Sequence, residues 1–457
     1  MARAALQALA LRLYGLLTRL ATPLLRAKLR RRARAEAGYG EHVEERFGRY
    51  AAPAPAAASG PLVWLHAVSL GETRAAALLL PELRAALPGM QLLLTHGTAT
   101  GRAAGAALLQ PGDRQAWLPW DTAGATRRFL AHFRPNVGVL METEVWPELA
   151  AACRARGVPL VLANARLNAK SHAGARRLAW LARPAYAGLA AVWAQTEADA
   201  ARLRDLGAPV AGALGNLKFD VQPDAAQQQR GRAWRAAAGR PVLLLASARE
   251  GEEAMWLEVL TSKLPSAHMK HGLSAIEEIA NQPVQWLVVP RHPQRFDEVE
   301  RLCTAAGLSV ARRSQWGASG APPAADVWLG DSLGEMQAYC SAAHVALLGG
   351  SFAPLGGQNL IEIAACGCPA VMGPHTFNFT EAAELALAAG AALRVADMAA
   401  GVQAALALAQ DTPRLQAMAG RAVQFTAAHR GAARATAQAL ATLLSGGPGR
   451  APAQSPD

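Results

Sequence analysis

The residues best suited to chemistry fall in short runs, each placed just after an apolar segment. His66–Glu72 (HAVSLGE) sets Glu72 behind Gly71 at a turn into a helix. A carboxylate there could act as a base, or merely complement the positive end of the helix. Met141–Pro147 (METEVWP) places Glu142 and Glu144 directly after a buried run, where few structural needs call for acids. Gly215–Asp220 (GNLKFD) supplies a cation, Lys218, and Pro290-Arg291-His292-Pro293 a phosphate-capable arginine. Asp331–Met336 (DSLGEM) holds Gly334, Glu335 and Met336. In the run from His344 to Phe379, Gly349, Gly350, Gly356 and Gly357 let the backbone approach a ligand closely. Asn359 then opens a short helix through Leu360 and Ile361, whose first N–H groups could hold an anion. Glu362, about one turn on, could accept from the two hydroxyls of a ribose. A phosphate seat beside a ribose-reading carboxylate suggests a nucleotide. An ordinary Gly-rich turn with a surface glutamate is the plainer alternative. Each of the first five runs is weak alone, but five at equivalent strand ends are not.

The segments between these runs must position them. With 457 residues and 52% hydrophobic content, the chain can bury more than one core. Apolar runs at 62–66, 91–95, 136–141, 159–163 and 191–194 alternate with helical patterns, such as 75–87. A second series has strands at 242–246, 285–289, 326–329, 344–348 and 370–372. This rhythm predicts two α/β domains, each a doubly wound parallel sheet of Rossmann type, with ligands at the carboxyl ends of the strands and an active site in the cleft between them. The expected boundaries are an anchor at 1–35, a first domain at 36–220, a connector at 221–240, a second domain at 241–446 and a disordered tail at 447–457. Residues 51–60 read as a short Pro/Ala linker. Five cysteines without metal-ligand spacing point to a reduced compartment and to no metal site.

Charge is unevenly spread. Residues 1–34 carry nine Arg/Lys and no acid, leaving 37 basic against 34 acidic residues elsewhere, so most of the formal +12 is N-terminal. A nucleic-acid binder would spread its basic residues over a folded surface, so nucleic acid is not an expected partner. Arg12, Arg19 and Arg26, seven apart, share one helix face among Leu and Ala. The uncharged stretches fall short of the ~20 apolar residues of a simple span. The expectation is an amphipathic helix in the membrane interface, with the six basic residues from Arg26 to Arg34 on anionic headgroups, at ~1 kcal/mol each. A basic solvated helix and a tilted span are the other readings.

Taken in order, HAVSLGE, METEVWPEL, NARL, GNLKFD, ASAREGEE, PRHPQRF, GDSLGEM and GGSFAPLGGQNLIEIAACGCPAVMGPHTFNF resemble the bacterial 3-deoxy-D-manno-octulosonic acid (Kdo) transferases over nearly the whole chain. The resemblance implies a two-domain GT-B glycosyltransferase at the cytoplasmic face of the inner membrane, moving Kdo from CMP-Kdo to the lipid A precursor (lipid IVA) with inversion. No cofactor is implied. The family's general base falls on Glu72, and its transition-state stabilisers on Glu142 and Lys218. CMP contacts fall on Pro290 and Arg291, on Gly334, Glu335 and Met336, and on Asn359, Leu360, Ile361 and Glu362. The chain departs from the family where Gln358 stands for a usual histidine before Asn359, where Ala248-Arg249 replaces Thr-His, and where 262–283 is longer and more polar. Two other readings are a different GT-B enzyme of the cell envelope, using another nucleotide sugar, and a non-enzymatic basic membrane adaptor.

Overall fold

The computed structural model describes residues 2–54, 60–261, 284–317 and 320–446. Residues 55–59 of the linker, the polar segment 262–283 and the 447–457 tail lie outside the described residues. Among the described residues two compact units emerge: one within 2–220 together with 430–446, and one within 221–429.

The first unit is built on seven parallel strands: β1 (Leu62–His66), β2 (Gln91–His96), β3 (Arg114–Trp117), β4 (Val137–Met141), β5 (Leu160–Ala165), β6 (Ala191–Ala194) and β7 (Val210–Ala213). They lie in the order β3-β2-β1-β4-β5-β6-β7. β1, β4 and β5 are buried along their whole length, which is why they read as unbroken apolar runs. On one face Trp64 packs edge-on to Phe129, with ring centres 4.8 Å apart. On the other, Val63 and Leu65 join Leu79 and Leu83 of the Leu70–Ala86 helix.

The second unit repeats the plan with β8 (Val242–Ala248), β9 (Gln285–Pro290), β10 (Val310–Arg312), β11 (Val327–Leu329), β12 (Val345–Leu348), β13 (Ala370–Met372) and β14 (Ala392–Arg394). The order is β10-β11-β9-β8-β12-β13-β14, again all parallel. In each sheet the chain reverses its direction of travel at the first strand. β1 lies between β2 and β4, and β8 between β9 and β12. The carboxyl ends of such neighbours form the crevice in which open α/β sheets take ligands.

Two expected boundaries move. Residues 225–238 are not a bare connector but a helix capped by Asp224, with Trp234 buried. Gly231 lets this helix approach Met336–Ala342 so closely that a Cβ there would collide with the Ala338 carbonyl. At the other end, the second unit stops before residue 430. The helix Ala432–Ser445 belongs to the first unit, where Ala433, Ala437 and Leu440 cover the face holding Val63 and Leu65. Asp220 fastens its start by accepting from Gly431 N (2.5 Å) and Ala433 N (2.7 Å).

The N-terminal stretch is two helices rather than one, Ala2–Leu20 and Thr22–Ala35, bent by 49° where Pro23 starts the second. Among the described residues no single helix is long and apolar enough to cross a membrane, although this bent pair together passes that test. The first helix exposes Leu9, Leu13, Leu16, Leu17 and Leu20, and Tyr14 donates to Asp121 at 2.9 Å. The second helix rests on the body. Leu29 is buried with Tyr39, Phe47 and Trp117, and Arg26 pairs with Glu44 at 2.7 Å. Arg26 also lies over the Phe47 ring at 3.9 Å.

Candidate active site

In the first unit the expected site residues sit at the crevice between β1 and β4. Ser69 caps the helix that follows β1, its Oγ accepting from Glu72 N at 3.4 Å. Glu72 reaches back, its Oε2 accepting from Val68 N at 2.8 Å and its Oε1 from Ser69 Oγ at 3.4 Å. This reciprocal pattern resembles a capping box, with the amide of Val68 in place of that of Ser69, so the helix-start role considered for Glu72 is present. Its environment is nonetheless unusual for a cap. Burial, with the charges of Glu142 and Glu144 acting in the same direction, raises its pKa to about 8, against the hydrogen bonds from Val68 and Ser69. Perturbation of this size marks candidate functional groups, and a base is most effective near its working pH.

Glu142 follows β4 in the left-handed region (φ +57°), a conformation a residue with a side chain seldom adopts. The turn is pinned on both sides: Glu142 N donates to Ala163 O, and Glu142 O accepts from Arg166 N, both at 3.1 Å. The result aims Oε1 at Lys218 Nζ, 3.6 Å away. Glu144 is turned aside, accepting from Trp146 Nε1 at 2.9 Å. Outliers of this kind gather at functional sites, where the surroundings over-determine them.

Lys218 is held by residues that carried no role in the sequence reading. Asn164, also left-handed at φ +51°, is buried at the end of β5. Its Oδ1 accepts from Leu217 N (3.1 Å) and its carbonyl from Gln195 Nε2 (3.0 Å). Gln195 in turn accepts from Asn216 Nδ2 (3.2 Å), whose Oδ1 takes Lys218 N (3.1 Å). Asn164 was visible as part of NARL. Gln195, one residue past β6, offered only its place after an apolar strand.

In the second unit the expected nucleotide residues collect at the carboxyl edge of its sheet. Arg291 follows β9, donating its N to Ala248 O at 2.8 Å and its Nε to Gln358 Oε1 at 3.1 Å. Gln358 therefore orients the arginine through a neutral acceptor at the position where a histidine was usual. Arg249 pairs with its neighbour Glu250 at 3.1 Å. Gly349 lies so close to the end of β8 that a Cβ would strike the Ser247 carbonyl. Asn359 caps the six-residue helix Leu360–Ala365, its Oδ1 accepting from Ile361 N at 3.2 Å. Leu360 and Ile361 are fully buried, so any ligand would meet their backbone, whereas Glu362 is half-buried.

Beyond β11, Gly334 has φ +83° with no atom near the position of a Cβ. Met336 brings its Sδ within 4.0 Å of Ser247 Oγ. Glu335 is already well supplied: burial acts to raise its pKa, but hydrogen bonds from Ser332, Arg313 and Arg230 outweigh that and lower it. Among the described residues no group of three or more His, Cys, Asp or Glu is arranged to hold a metal ion.

Residues 41–221 match the family model described as 3-Deoxy-D-manno-octulosonic-acid transferase (kdotransferase). The chain is 50% identical over 439 residues to the 3-deoxy-D-manno-octulosonic acid transferase of Bordetella pertussis, covering 94% of this chain and 99% of that one. It is 31% identical over 378 residues to the probable mitochondrial 3-deoxy-D-manno-octulosonic acid transferase of Arabidopsis thaliana, covering 81% and 80%. Among solved structures, a glycosyltransferase from Rickettsia africae matches with a TM-score of 0.54 at 10% identity, over 85% of this chain and 99% of that chain. That last likeness is one of fold.

Proposed function

This chain belongs to the 3-deoxy-D-manno-octulosonic acid (Kdo) transferases, and from that premise we propose that it moves Kdo from CMP-Kdo to the lipid A precursor, lipid IVA, with inversion at the anomeric carbon. That it is a glycosyltransferase follows from the family. The observation that carries the finer reading is the 50% identity to a Kdo transferase along nearly the full length of both chains. In the proposed reaction an acceptor hydroxyl attacks the anomeric carbon while its proton passes to Glu72. The bond from that carbon to the CMP phosphate breaks, and CMP leaves with the electron pair. Glu142 and Lys218 stabilise charge that develops in the transition state. Pro290, Arg291, Gly334, Glu335, Met336 and Asn359 through Glu362 hold the CMP moiety, with Arg291 on its phosphate and Glu362 on its ribose. A single displacement needs one base and a stabilised leaving group, and the ion pair beside a half-buried Glu72 supports it. The direct test is a mass spectrum of tetra-acylated acceptor after incubation with CMP-Kdo. Acceptor carrying added Kdo is expected, and unmodified acceptor beside consumed donor would refute the transfer.

The raised pKa gives a pH expectation with a definite sign. A base must be unprotonated, so kcat/KM should climb as pH rises towards about 8 and level off above it. Stability moves the other way. The folded carboxyl binds its proton more tightly than the unfolded one, so the fold loses stability as pH rises from about 4.5 through 8. Glu72→Gln should melt with a weaker pH dependence across that window. A rate profile flat from pH 6 to 9 would remove Glu72 as the titrating base.

We place the enzyme at the cytoplasmic face of the inner membrane, on anionic lipid. The row of exposed leucines from Leu9 to Leu20, beside Arg12 and Arg19, supports this. Because Leu29 seats the second helix on the body, deleting residues 1–20 is the cleaner experiment. The shortened protein should stay folded, with a melting temperature lowered by the loss of the Tyr14–Asp121 hydrogen bond, but no longer sediment with anionic vesicles. Unchanged sedimentation would put the lipid contact elsewhere.

A further inference from the structure

Two carboxylates at the start of the helix Glu252–Thr261 are fully buried, and the proposed reaction uses neither. Among the described residues Glu252 is met by backbone amides rather than by a cation. Its Oε2 accepts from Gly350 N at 2.6 Å and from Arg249 N at 2.9 Å. Its Oε1 accepts from Phe352 N at 3.0 Å and from Ala353 N at 3.2 Å. Three of these four donors lie in the loop after β12, about a hundred residues along the chain. Glu253 takes the Arg295 guanidinium in a fork, Nη2 to Oε2 at 3.1 Å and Nε to Oε1 at 3.4 Å. Arg295 lies in the turn after β9, four residues beyond Arg291. Since β8 runs between β9 and β12, the start of the helix that follows it is placed to grip the loops on either side.

A buried carboxylate is costly unless its lone pairs are filled, and here each is matched by charge-assisted donors. Capping the helix alone would need only the Arg249 amide. The remaining contacts fix loops that have no ladder of their own, at the sheet edge where the nucleotide residues gather. Fixing them in advance spares a ligand the entropy of ordering them.

We propose that Glu252 and Glu253 are positioning residues for the donor: Glu252 holds the Gly349–Ala353 loop and Glu253, through Arg295, holds the turn carrying Arg291, so the nucleotide edge is formed before the ligand arrives. The inference rests on the CMP contacts proposed above. Glu252→Gln keeps the size of the side chain but turns an NH2 towards two N–H donors. In the full-length enzyme this variant should weaken CMP binding by about tenfold or more, the scale of one lost charge-assisted hydrogen bond. The KM for CMP-Kdo should rise by the same factor, with acceptor KM unchanged and kcat at saturating donor within about threefold. Glu253→Gln should move the same constants in the same direction. A merely structural role would lower the active fraction, and so kcat, while leaving donor KM alone. That pattern, or unchanged CMP affinity in folded variants, would overturn the proposal. Wild-type protein that failed to bind CMP would instead sink the nucleotide reading itself. Should the variants not fold, hydrogen exchange on the wild type still decides the matter. The Gly350, Phe352 and Ala353 amides should be protected without CMP, and exchange that slows only when CMP is added would show that the loop is not held in advance.

Discussion

Glu72→Gln is expected to lower turnover by roughly 10²–10⁴ while leaving CMP affinity unchanged. Glutamine preserves the shape of the side chain and can still accept from Val68 N, now 2.8 Å from Oε2, so the capping pattern persists in part. What it cannot do is take a proton from the acceptor hydroxyl. The CMP contacts are assigned to residues of the second unit, and Glu72 belongs to the first, so nucleotide affinity is the built-in control. Were the helix-start charge its whole role, the variant would lose only ~0.3–1 kcal/mol of stability and little rate. A variant that melts earlier yet transfers at near wild-type rate would return Glu72 to structure and move attention to Glu142 and Glu144.

Lys218→Ala should cost about 10²–10³ in kcat, the scale seen when one preorganised electrostatic donor is removed. The change also strips the cation that stands 3.6 Å from Glu142 Oε1. The charge of Glu142 already helps raise the Glu72 pKa, so less-compensated charge there should move the rising limb of the rate profile to higher pH. Lys218→Arg, which keeps the charge, should recover part of both effects. A loss below threefold in Lys218→Ala, with the limb unmoved, would contradict the assignment.

What could be read from the sequence followed burial. β1, β4 and β5, sealed on both faces, stood out as apolar runs, and the turn after each carries HAVSLGE, METEVWP and NARL. The four strands that escaped notice are β3, β7, β10 and β14, and they are the two edges of each sheet. Edge strands pair on one side only and are buried over only part of their length: Arg114-Gln115 in β3 and Val310-Ala311-Arg312 in β10 are half-buried and form no unbroken apolar run. Tertiary partnerships were equally hidden. Nothing local says that Ala432–Ser445 crosses back to the first unit, because its small apolar stripe would suit either sheet. The polar Ala/Gln run at 225–238 read as a connector because its contact surface is a glycine and a single tryptophan. At the site, side chains that could act were visible as charged residues after strands. What Asn164, Gln195 and Glu252 do in holding them was not legible, since most of their donors lie 21 to 101 residues away.

The most direct measurement of the central claim is release of CMP from CMP-Kdo by the purified enzyme, followed with and without tetra-acylated lipid A precursor. Wild-type protein should release CMP only when the acceptor is present, in step with the appearance of Kdo on the lipid, and Glu72→Gln should be slower by the same large factor in both readouts. Release at equal rates with and without acceptor, or a Glu72→Gln variant that matches wild type, would contradict acceptor-directed Kdo transfer with Glu72 as its base.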